Sequence, residues 1–397
     1  MFGGTFLPVS HFLLVSNLVA ARRPFEIYWN VPSDSCKQLH PEAYGITTNT
    51  GDHFAGDKLV IFYSFGKLPY CNEKLQMGLN TEASECTNAV NGGVPQAANF
   101  TAHFAQIKAD IDERMPNASF DGLAVVDYEA WRPVWELNHS SRRVYQKLSM
   151  ELVEKKCPGC SKEEIARRAQ EELEEASKTF LLKTLEYAKK LRPNAKWAFW
   201  EYPLCDNTVG YANYSLHCTD MYLRANRKLM YLYEASDVLL PKIYFYGSPI
   251  EKGRRQFHVH GELHQAFEIN KALRPHPKLV YAYAKFEYAI KWNDSSQPVR
   301  ELFYSKEDLC TTLKYASELG VDGVVLWSTS ARMGARCDLL EGYLKNFLGP
   351  AARIVLQEAE RCATEKCGGE GRCVLDDPRP PAKCELGQRR PMHCVPY

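Results

Sequence analysis

The chain has 397 residues, of which 45% are hydrophobic and 12% aromatic. That is enough apolar material for one large core, and barrel domains of this length are common. Lysine plus arginine number 49 against 48 for aspartate plus glutamate, so the net charge is only +1. This balance argues against a general nucleic-acid-binding protein, which usually has a strong basic excess, although a local basic cleft could still bind a polyanion.

The cysteines predict an oxidising compartment, because there are 14 of them and they are scattered along the chain. One CxxC pair, Cys157 with Cys160, has no second pair at zinc-site spacing. We therefore expect a local disulfide or free thiols there in preference to zinc.

The first 20 residues predict export to the secreted or lysosomal space. They are largely apolar and end in small residues, as a signal peptide does, although no basic segment precedes them. No other stretch is long and apolar enough to span a bilayer. Asn-x-Ser/Thr sequons give five glycosylation candidates, at Asn99, Asn117, Asn138, Asn213 and Asn293.

Seven short apolar runs predict β-strands. Most of them are continuous instead of alternating, as expected for parallel strands covered on both faces. The runs are residues 25–29, 59–64, 123–127, 197–202, 238–246, 279–286 and 323–328. The clearest helix lies at residues 162–191, where Ser161 and Glu164 form a capping-box signature and Pro193 marks the end. Weaker helical patterns cover residues 101–114, 216–234, 262–273 and 305–319.

This alternation predicts an α/β fold, a distorted TIM-like (β/α) barrel with about seven strands over residues 21–350. The alternative is a doubly wound open sheet, whose usual G-x-G-x-x-G signature is missing after the first strand. Residues 351–397 hold five cysteines, which predicts a small disulfide-rich, EGF-like appendage. An EGF-like module needs six cysteines, so either one bond reaches elsewhere or the module is incomplete.

Two acids, Asp127 and Glu129, end the third predicted strand. Residues i and i+2 of a strand face the same side, so both carboxyls are expected at the C-terminal mouth of the barrel, where active sites lie. Two close carboxylates cannot both ionise easily, and a protonated acid beside an ionised one suits glycoside hydrolysis. The alternative is a pair of exposed acids bonded to loop amides or to Arg132.

Aromatic residues cluster at the other predicted strand ends. Aromatic faces stack on sugars and tyrosine hydroxyls bond their substituents, although any single one is more often part of the core. The candidates are Tyr63, Trp200, Tyr202, Tyr244, Tyr246, Tyr283 and Trp327.

The stretch DGLAVVDYEAWRP, from Asp121 to Pro133, closely resembles the signature of the animal hyaluronidase family of glycoside hydrolases, which includes chondroitin hydrolases. Further similarities follow the family's order over nearly the whole chain. They include FEIYWN from Phe25, IFY from Ile61, GGVPQ from Gly92, LRP from Leu191, PKIY from Pro241 and GVVLW from Gly323.

The resemblance implies a secreted endo-β-N-acetylhexosaminidase that cleaves β-1,4 bonds of hyaluronan, chondroitin or both, without a metal or other cofactor. It implies a retaining, substrate-assisted mechanism in which Glu129 protonates the leaving oxygen and then activates water. The substrate's acetamido oxygen attacks the anomeric carbon while Asp127 orients it. Tyr244 would bond the acetamido group, Trp327 would wall the pocket and Tyr63 would contact sugar.

Some positions depart from the family pattern. Tyr128 replaces the usual Trp between the acids, and we expect a packing change because that side chain points away from them. Trp200 replaces a Tyr that helps to hold the acetamido group, which puts substrate preference in doubt. Glu287 matches a distal acid of the family's cleft, and residues 69–90 resemble an insertion beside it. The alternative function is a glycosaminoglycan-binding or cell-surface adhesion protein that has lost turnover.

The resemblance also implies disulfide pairs, which are Cys36 with Cys337, Cys205 with Cys218, Cys362 with Cys373, and Cys71 with Cys86. A monomer with a glycosaminoglycan as partner is expected, without nucleic acid. Four basic residues could bind that polyanion or be solvated surface charge, namely Lys242, Lys252, Arg254 and Arg255. A metal site at His258, His260 and His264 is a weaker alternative, because no carboxylate matches their spacing.

Overall fold

The computed structural model describes residues 24–397 except 52, 72–85, 87, 212–213, 246–253 and 289–301. The predicted signal peptide, Tyr246, Lys252, Asn213, Asn293 and most of the predicted insertion therefore lie outside the described residues. In the described part, seven parallel strands surround one axis. They are β1 Glu26–Asn30, β2 Leu59–Phe62, β3 Leu123–Val126, β4 Lys196–Phe199, β5 Val238–Leu239, β6 Leu279–Ala284 and β7 Gly323–Trp327.

The strands form two parallel sheets, in the orders β2-β3-β4 and β1-β7-β6-β5. Backbone hydrogen bonds join β4 to β5, from Asp237 N to Trp197 O at 2.9 Å and from Leu240 N to Tyr202 O at 2.7 Å. On the other side, β1 bonds to the segment that precedes β2, through Trp29 N and Thr47 O at 2.9 Å. The result is a distorted barrel, as predicted.

Helices cover the outside of the barrel. In the described residues they are α1 Phe100–Arg114, α2 Arg143–Lys156, α3 Lys162–Leu191, α4 Asp220–Lys228, α5 Met230–Ala235, α6 Arg255–Ala272, α7 Lys306–Leu309, α8 Ala316–Leu319, α9 Met333–Tyr343 and α10 Gly349–Glu365. π-Helical segments connect α7 to α8 and α9 to α10, at Cys310–Tyr315 and Leu344–Leu348.

The prediction was correct for α3, which begins after Ser161 as its side chain accepts a hydrogen bond from Glu164 N at 3.2 Å. It was wrong at residues 216–234, where the helix is broken at Leu229 into α4 and α5. Helices α2, α9 and α10 were missed. Pro350 stands in the first turn of α10, where proline is well tolerated.

The core has an inner and an outer layer, set by the alternation of side chains along each strand. On β3, Leu123 and Val125 pack inside the barrel with side chains such as Ile61 of β2. Ala124 and Val126 instead face the helical layer. By the same alternation, positions 127 and 129 face the inside of the barrel, as Leu123 and Val125 do.

All fourteen cysteines form disulfides. The structure joins the four pairs that the resemblance implied and adds Cys157–Cys160, Cys367–Cys394 and Cys310–Cys384. The last bond fastens the C-terminal segment to the π-helical segment after α7. Four of the five cysteines of that segment therefore pair within it, and Cys384 bonds outside it.

The C-terminal segment contains an antiparallel hairpin of β8 Gly371–Leu375 and β9 Met392–Pro396. Helix α10 crosses residue 350 and buries Ala351, Ala352 and Val355. The division of the chain at residue 350 and the EGF-like character of the appendage stay predictions. No helix in the described ranges is long and apolar enough to cross a membrane.

The sequons differ in accessibility. Asn99 and Asn117 are exposed, so a glycan could be attached at either. Asn138 is fully buried, and its Nδ2 donates to Arg132 O at 2.7 Å and Val134 O at 3.1 Å. The prediction for Asn138 is therefore wrong for the folded chain, because glycosylation would consume a buried donor and require exposure of the side chain.

Candidate active site

The C-terminal ends of the strands open into a cleft of about 1120 Å³. Pockets for drug-sized molecules measure about 300–1,000 Å³, so this cleft has room for a longer ligand. Its lining is both charged and aromatic. It includes Tyr63, Asp127, Glu129, Arg132, Arg142, Trp200, Glu201, Lys242, Tyr244, Lys285 and Trp327.

The backbone holds the two predicted acids in place. Asp127 N donates to Phe62 O at 2.9 Å, which extends the β2–β3 ladder by one residue past the strand. Glu129 O accepts two hydrogen bonds from Arg142, from Nε at 3.1 Å and Nη2 at 3.0 Å. Both carboxyls line the cleft, with Asp127 buried and Glu129 half-buried.

Tyr128, between the acids, points the other way. Its hydroxyl donates to Phe65 O, and its ring lies 5.5 Å from the Phe199 ring in the helical layer. The substitution of Tyr for Trp at this position is therefore accommodated by packing outside the cleft, as predicted.

The surroundings of Asp127 and Glu129 favour the protonated forms. Burial raises the pKa of Asp127 well above its usual range, and the charges of Glu129 and Glu201 raise it further. Burial also raises the pKa of Glu129, with Glu201 as the next cause, while Arg132 and Lys242 act in the opposite direction. Because the two carboxyls interact, they titrate as a pair and keep a proton to higher pH than isolated carboxyls do.

Glu201 also lines the cleft, although it was not among the residues predicted from the sequence. Its Oε2 accepts from Arg132 Nη2 at 2.6 Å, and its Oε1 pairs with Lys242 Nζ. Burial alone would raise the pKa of Glu201, but Lys242 and Arg132 outweigh burial and lower it to about 2. Its partners lie 69 and 41 residues away in sequence, so no local pattern marks it.

Aromatic side chains form one wall of the cleft. Trp327 Nε1 donates to the Tyr63 hydroxyl at 2.6 Å, and the Trp327 ring stacks on the Tyr244 ring with centroids 6.0 Å apart. Trp200 continues the wall, with its ring 6.1 Å from that of Tyr244. Tyr63 is 41% exposed and so can be reached by a ligand.

Two other aromatic candidates, Tyr202 and Tyr283, are buried and do not line the cleft. Among the basic candidates, Lys242 lines the cleft. The other two described ones are engaged elsewhere, Arg254 with Tyr211 O and Arg255 with Asp308 at 2.5 Å. Lys285 was not among the residues predicted from the sequence, yet its ammonium lies in the cleft 4.8 Å from the ring centroid of Trp327.

The structure keeps Glu287 out of the cleft. Its side chain is buried, and both carboxylate oxygens lie 3.0 Å from Arg336 Nη1. Ser328, which does line the cleft, donates its hydroxyl to Glu287 from the other side. The resemblance placed Glu287 in contact with substrate, and the ion pair with Arg336 corrects that placement.

The histidines considered for metal binding have separate neighbours. His258 Nδ1 lies 3.2 Å from Val209 O, and His260 Nδ1 lies 3.0 Å from the Tyr315 hydroxyl. In the described ranges, the one group of potential ligand atoms close enough to share a metal is Cys367, Cys373 and Cys394. All three are in disulfides.

Comparison with known proteins identifies a family to which the chain is similar over most of its length. The family model described as hyaluronidase matches residues 15–390. The chain is 34% identical to a chondroitin hydrolase of Caenorhabditis elegans over 361 residues, which are 89% of this chain and 75% of the relative. It is 35% identical to hyaluronidase-3 of Sus scrofa over 372 residues, 91% of this chain and 83% of the relative.

A solved structure of bee venom hyaluronidase in complex with a hyaluronic acid tetramer has a similar fold. The TM-score is 0.73 at 31% sequence identity, and the match covers 83% of this chain and 99% of the bee venom chain.

Proposed function

Since the chain belongs to the hyaluronidase family of glycoside hydrolases, and so is a glycosidase that hydrolyses glycosaminoglycans, we propose that Glu129 is its proton donor. The proposed reaction is endo-cleavage of β-1,4 bonds that follow an N-acetylhexosamine in hyaluronan, chondroitin or both. The observation that carries the proposal is that the interacting carboxyls of Asp127 and Glu129 line one cleft together with aromatic side chains.

The two acids differ in a way that suits different roles. Glu129 is the less buried, so its proton can be passed to a leaving glycosidic oxygen and later taken back from water. Asp127 is buried, and its Oδ1 has no hydrogen-bond partner among the described residues. An unpaired buried acceptor is costly, and the N–H of a substrate acetamido group would satisfy it.

A substrate-assisted mechanism is favoured by the state of the third acid. Both oxygens of Glu201 are already engaged, by Arg132 and Lys242, so this carboxylate is poorly placed to attack an anomeric carbon. The substrate's own acetamido oxygen would be the nucleophile, which is one of the known exceptions to the two-carboxylate scheme.

The aromatic wall would hold the sugars. Tyr244 is proposed to bond the acetamido group, with Trp327 beside it as the pocket wall and Tyr63 in contact with a neighbouring sugar. Trp200 can stack on a sugar and donate from its indole nitrogen, but it has no hydroxyl. The choice between hyaluronan and chondroitin, which differ at a hexosamine hydroxyl, would therefore be made near Trp200.

Replacement of Glu129 tests the assignment. Glu129→Gln keeps the shape of the side chain but removes the transferable proton, and we expect kcat to fall by about 10²–10⁴-fold. Release of reducing ends from hyaluronan and from unsulfated chondroitin would be measured side by side. A matched control is Glu136→Gln, which neutralises an exposed acid of the following loop whose side chain is 50% exposed and pairs with Lys228.

Undiminished depolymerisation by Glu129→Gln would refute the proposal. The alternative, a glycosaminoglycan-binding protein without turnover, is not favoured, because both acids are present and paired in the cleft. It would be supported if the wild-type protein bound either glycan but released no reducing ends between acidic and neutral pH.

We also propose that the protein belongs to the secretory pathway, secreted or lysosomal. The support is its seven disulfides, which form and persist in oxidising compartments. Two exposed sequons, at Asn99 and Asn117, agree with that route.

A further inference from the structure

Three charged and largely buried side chains form part of the cleft wall. Glu201 follows the end of β4, and its side chain is 12% exposed. Its carboxylate joins two cations from other parts of the chain, Arg132 after β3 and Lys242 after β5, whose side chains are 10% and 6% exposed. The three side chains line the same cleft as Glu129.

The backbone at Glu201 is unusual for its residue type. Its φ of 71° lies in the left-handed region, which is uncommon for residues other than glycine. Such conformations persist where the surroundings over-determine them, and they concentrate at functional sites. Here the two ion pairs fix the carboxylate in the cleft despite that backbone.

A buried ion network is a weak source of stability, because the loss of hydration offsets much of the attraction. Apolar side chains could build the same wall. The position of the network therefore calls for another explanation, and its charges act on Glu129. The carboxylate of Glu201 favours the protonated form of Glu129, whereas Lys242 and Arg132 favour the ionised form.

Groups from several elements face Glu129. Asp127 lies on the same strand end, Tyr63 follows β2, and Arg142 lies in the loop after β3, besides the three charges of the network. Two of these groups are carboxyls. Glu201 is kept ionised by Arg132 and Lys242, whereas Asp127 titrates as a pair with Glu129.

We propose that Glu201 is a positioning residue for the reaction, whose carboxylate, clamped by Arg132 and Lys242, keeps the proton on Glu129 by electrostatic repulsion. The inference rests on the proposed role of Glu129 as proton donor. Its consequence is that the enzyme stays active to higher pH than it would without Glu201. Lys242 has the opposite effect on the same proton.

The test is the pH dependence of kcat/KM, whose alkaline limb reports loss of the essential proton in the free enzyme. The substrate is a hyaluronan octasaccharide, or the unsulfated chondroitin octasaccharide if that is the one cleaved. The variants are Glu201→Gln, Lys242→Met and the double variant. We expect the midpoint of the alkaline limb to shift by about one pH unit to lower pH in Glu201→Gln. In Lys242→Met it should shift by a similar amount to higher pH. The double variant should lie between them.

The opposite signs separate an electrostatic role from a structural one. Lost packing or misfolding would lower activity at every pH, or move both single variants in one direction. If Glu201→Gln does not fold by itself, the downward shift from Lys242→Met to the double variant still measures the effect of the Glu201 carboxylate. A limb that stays in place, or moves the same way in both variants, overturns the inference. A wild-type protein that cleaves neither glycan overturns the proposed function and this inference with it.

Discussion

The ion pair between Glu287 and Arg336 allows the loss of stability in Glu287→Gln to be predicted. Arg336 is 2% exposed, with Nη1 3.0 Å from both Glu287 oxygens and Nη2 2.5 Å from Thr329 O. Glu287→Gln keeps the shape but leaves the guanidinium charge buried without its counter-ion. Breaking one side of a buried pair costs about 3–5 kcal/mol, and we expect the lower end because the amide oxygen can still accept one hydrogen bond.

The expected change in melting temperature follows from chain length. An unfolding entropy of about 2.1 cal/mol/K per residue gives roughly 0.8 kcal/mol/K for 397 residues. A loss of about 3 kcal/mol should therefore lower Tm by about 4 °C. Calorimetry measures Tm, and the KM for hyaluronan or chondroitin is measured in parallel and should change little.

The double variant Glu287→Gln/Arg336→Met is the matched control. Since both charges are then gone, most of the lost stability should return. The reasoning fails if Glu287→Gln leaves Tm unchanged and raises KM, because Glu287 would then contact substrate as the resemblance implied.

Two further predictions concern a cleft cation and acid stability. Lys285→Met should raise KM for a polyanionic glycan by about tenfold and weaken its salt dependence, because a charged partner of the substrate is lost. The exposed Lys271→Met serves as control, and equal KM values in both would refute a role for Lys285. Burial lowers the pKa of His103 to about 4, so the fold keeps this ring neutral while the unfolded chain protonates near pH 6.5. Stability is therefore lost as pH falls from about 6.5 to about 4, by up to about 3 kcal/mol. His103→Gln should flatten the plot of Tm against pH in that window, and parallel plots would contradict the argument.

The features that were predicted correctly from the sequence are those that depend on residues close together in the chain. The acids at positions 127 and 129 share the parity of Leu123 and Val125, so the prediction that both reach the cleft needed no tertiary information. The same parity turned Tyr128 outward. The helix at 162–191 was marked at both ends by side chains next to it in sequence.

What the sequence did not predict depends on distant partners. Glu201 follows an aromatic residue near a strand end, and nothing near it shows that Arg132 and Lys242 converge there. Glu287 lies two residues beyond Lys285, yet Lys285 reaches the cleft while Glu287 turns to a buried arginine on α9. Cys384 bonds to Cys310, 74 residues away, which a count of five cysteines could only leave open.

The disulfide between Cys36 and Cys337 spans 301 residues and has a consequence for the life of the molecule. Residues 36 to 337 form a covalent ring that contains Asp127, Glu129 and the loops at the barrel mouth. A protease that cuts this ring once produces an open chain with no piece released. Loss of any of the strands β2 to β7, or of an active-site loop between them, requires a second cut. Towards proteolysis, residues 36 to 337 thus behave as a cyclic polypeptide.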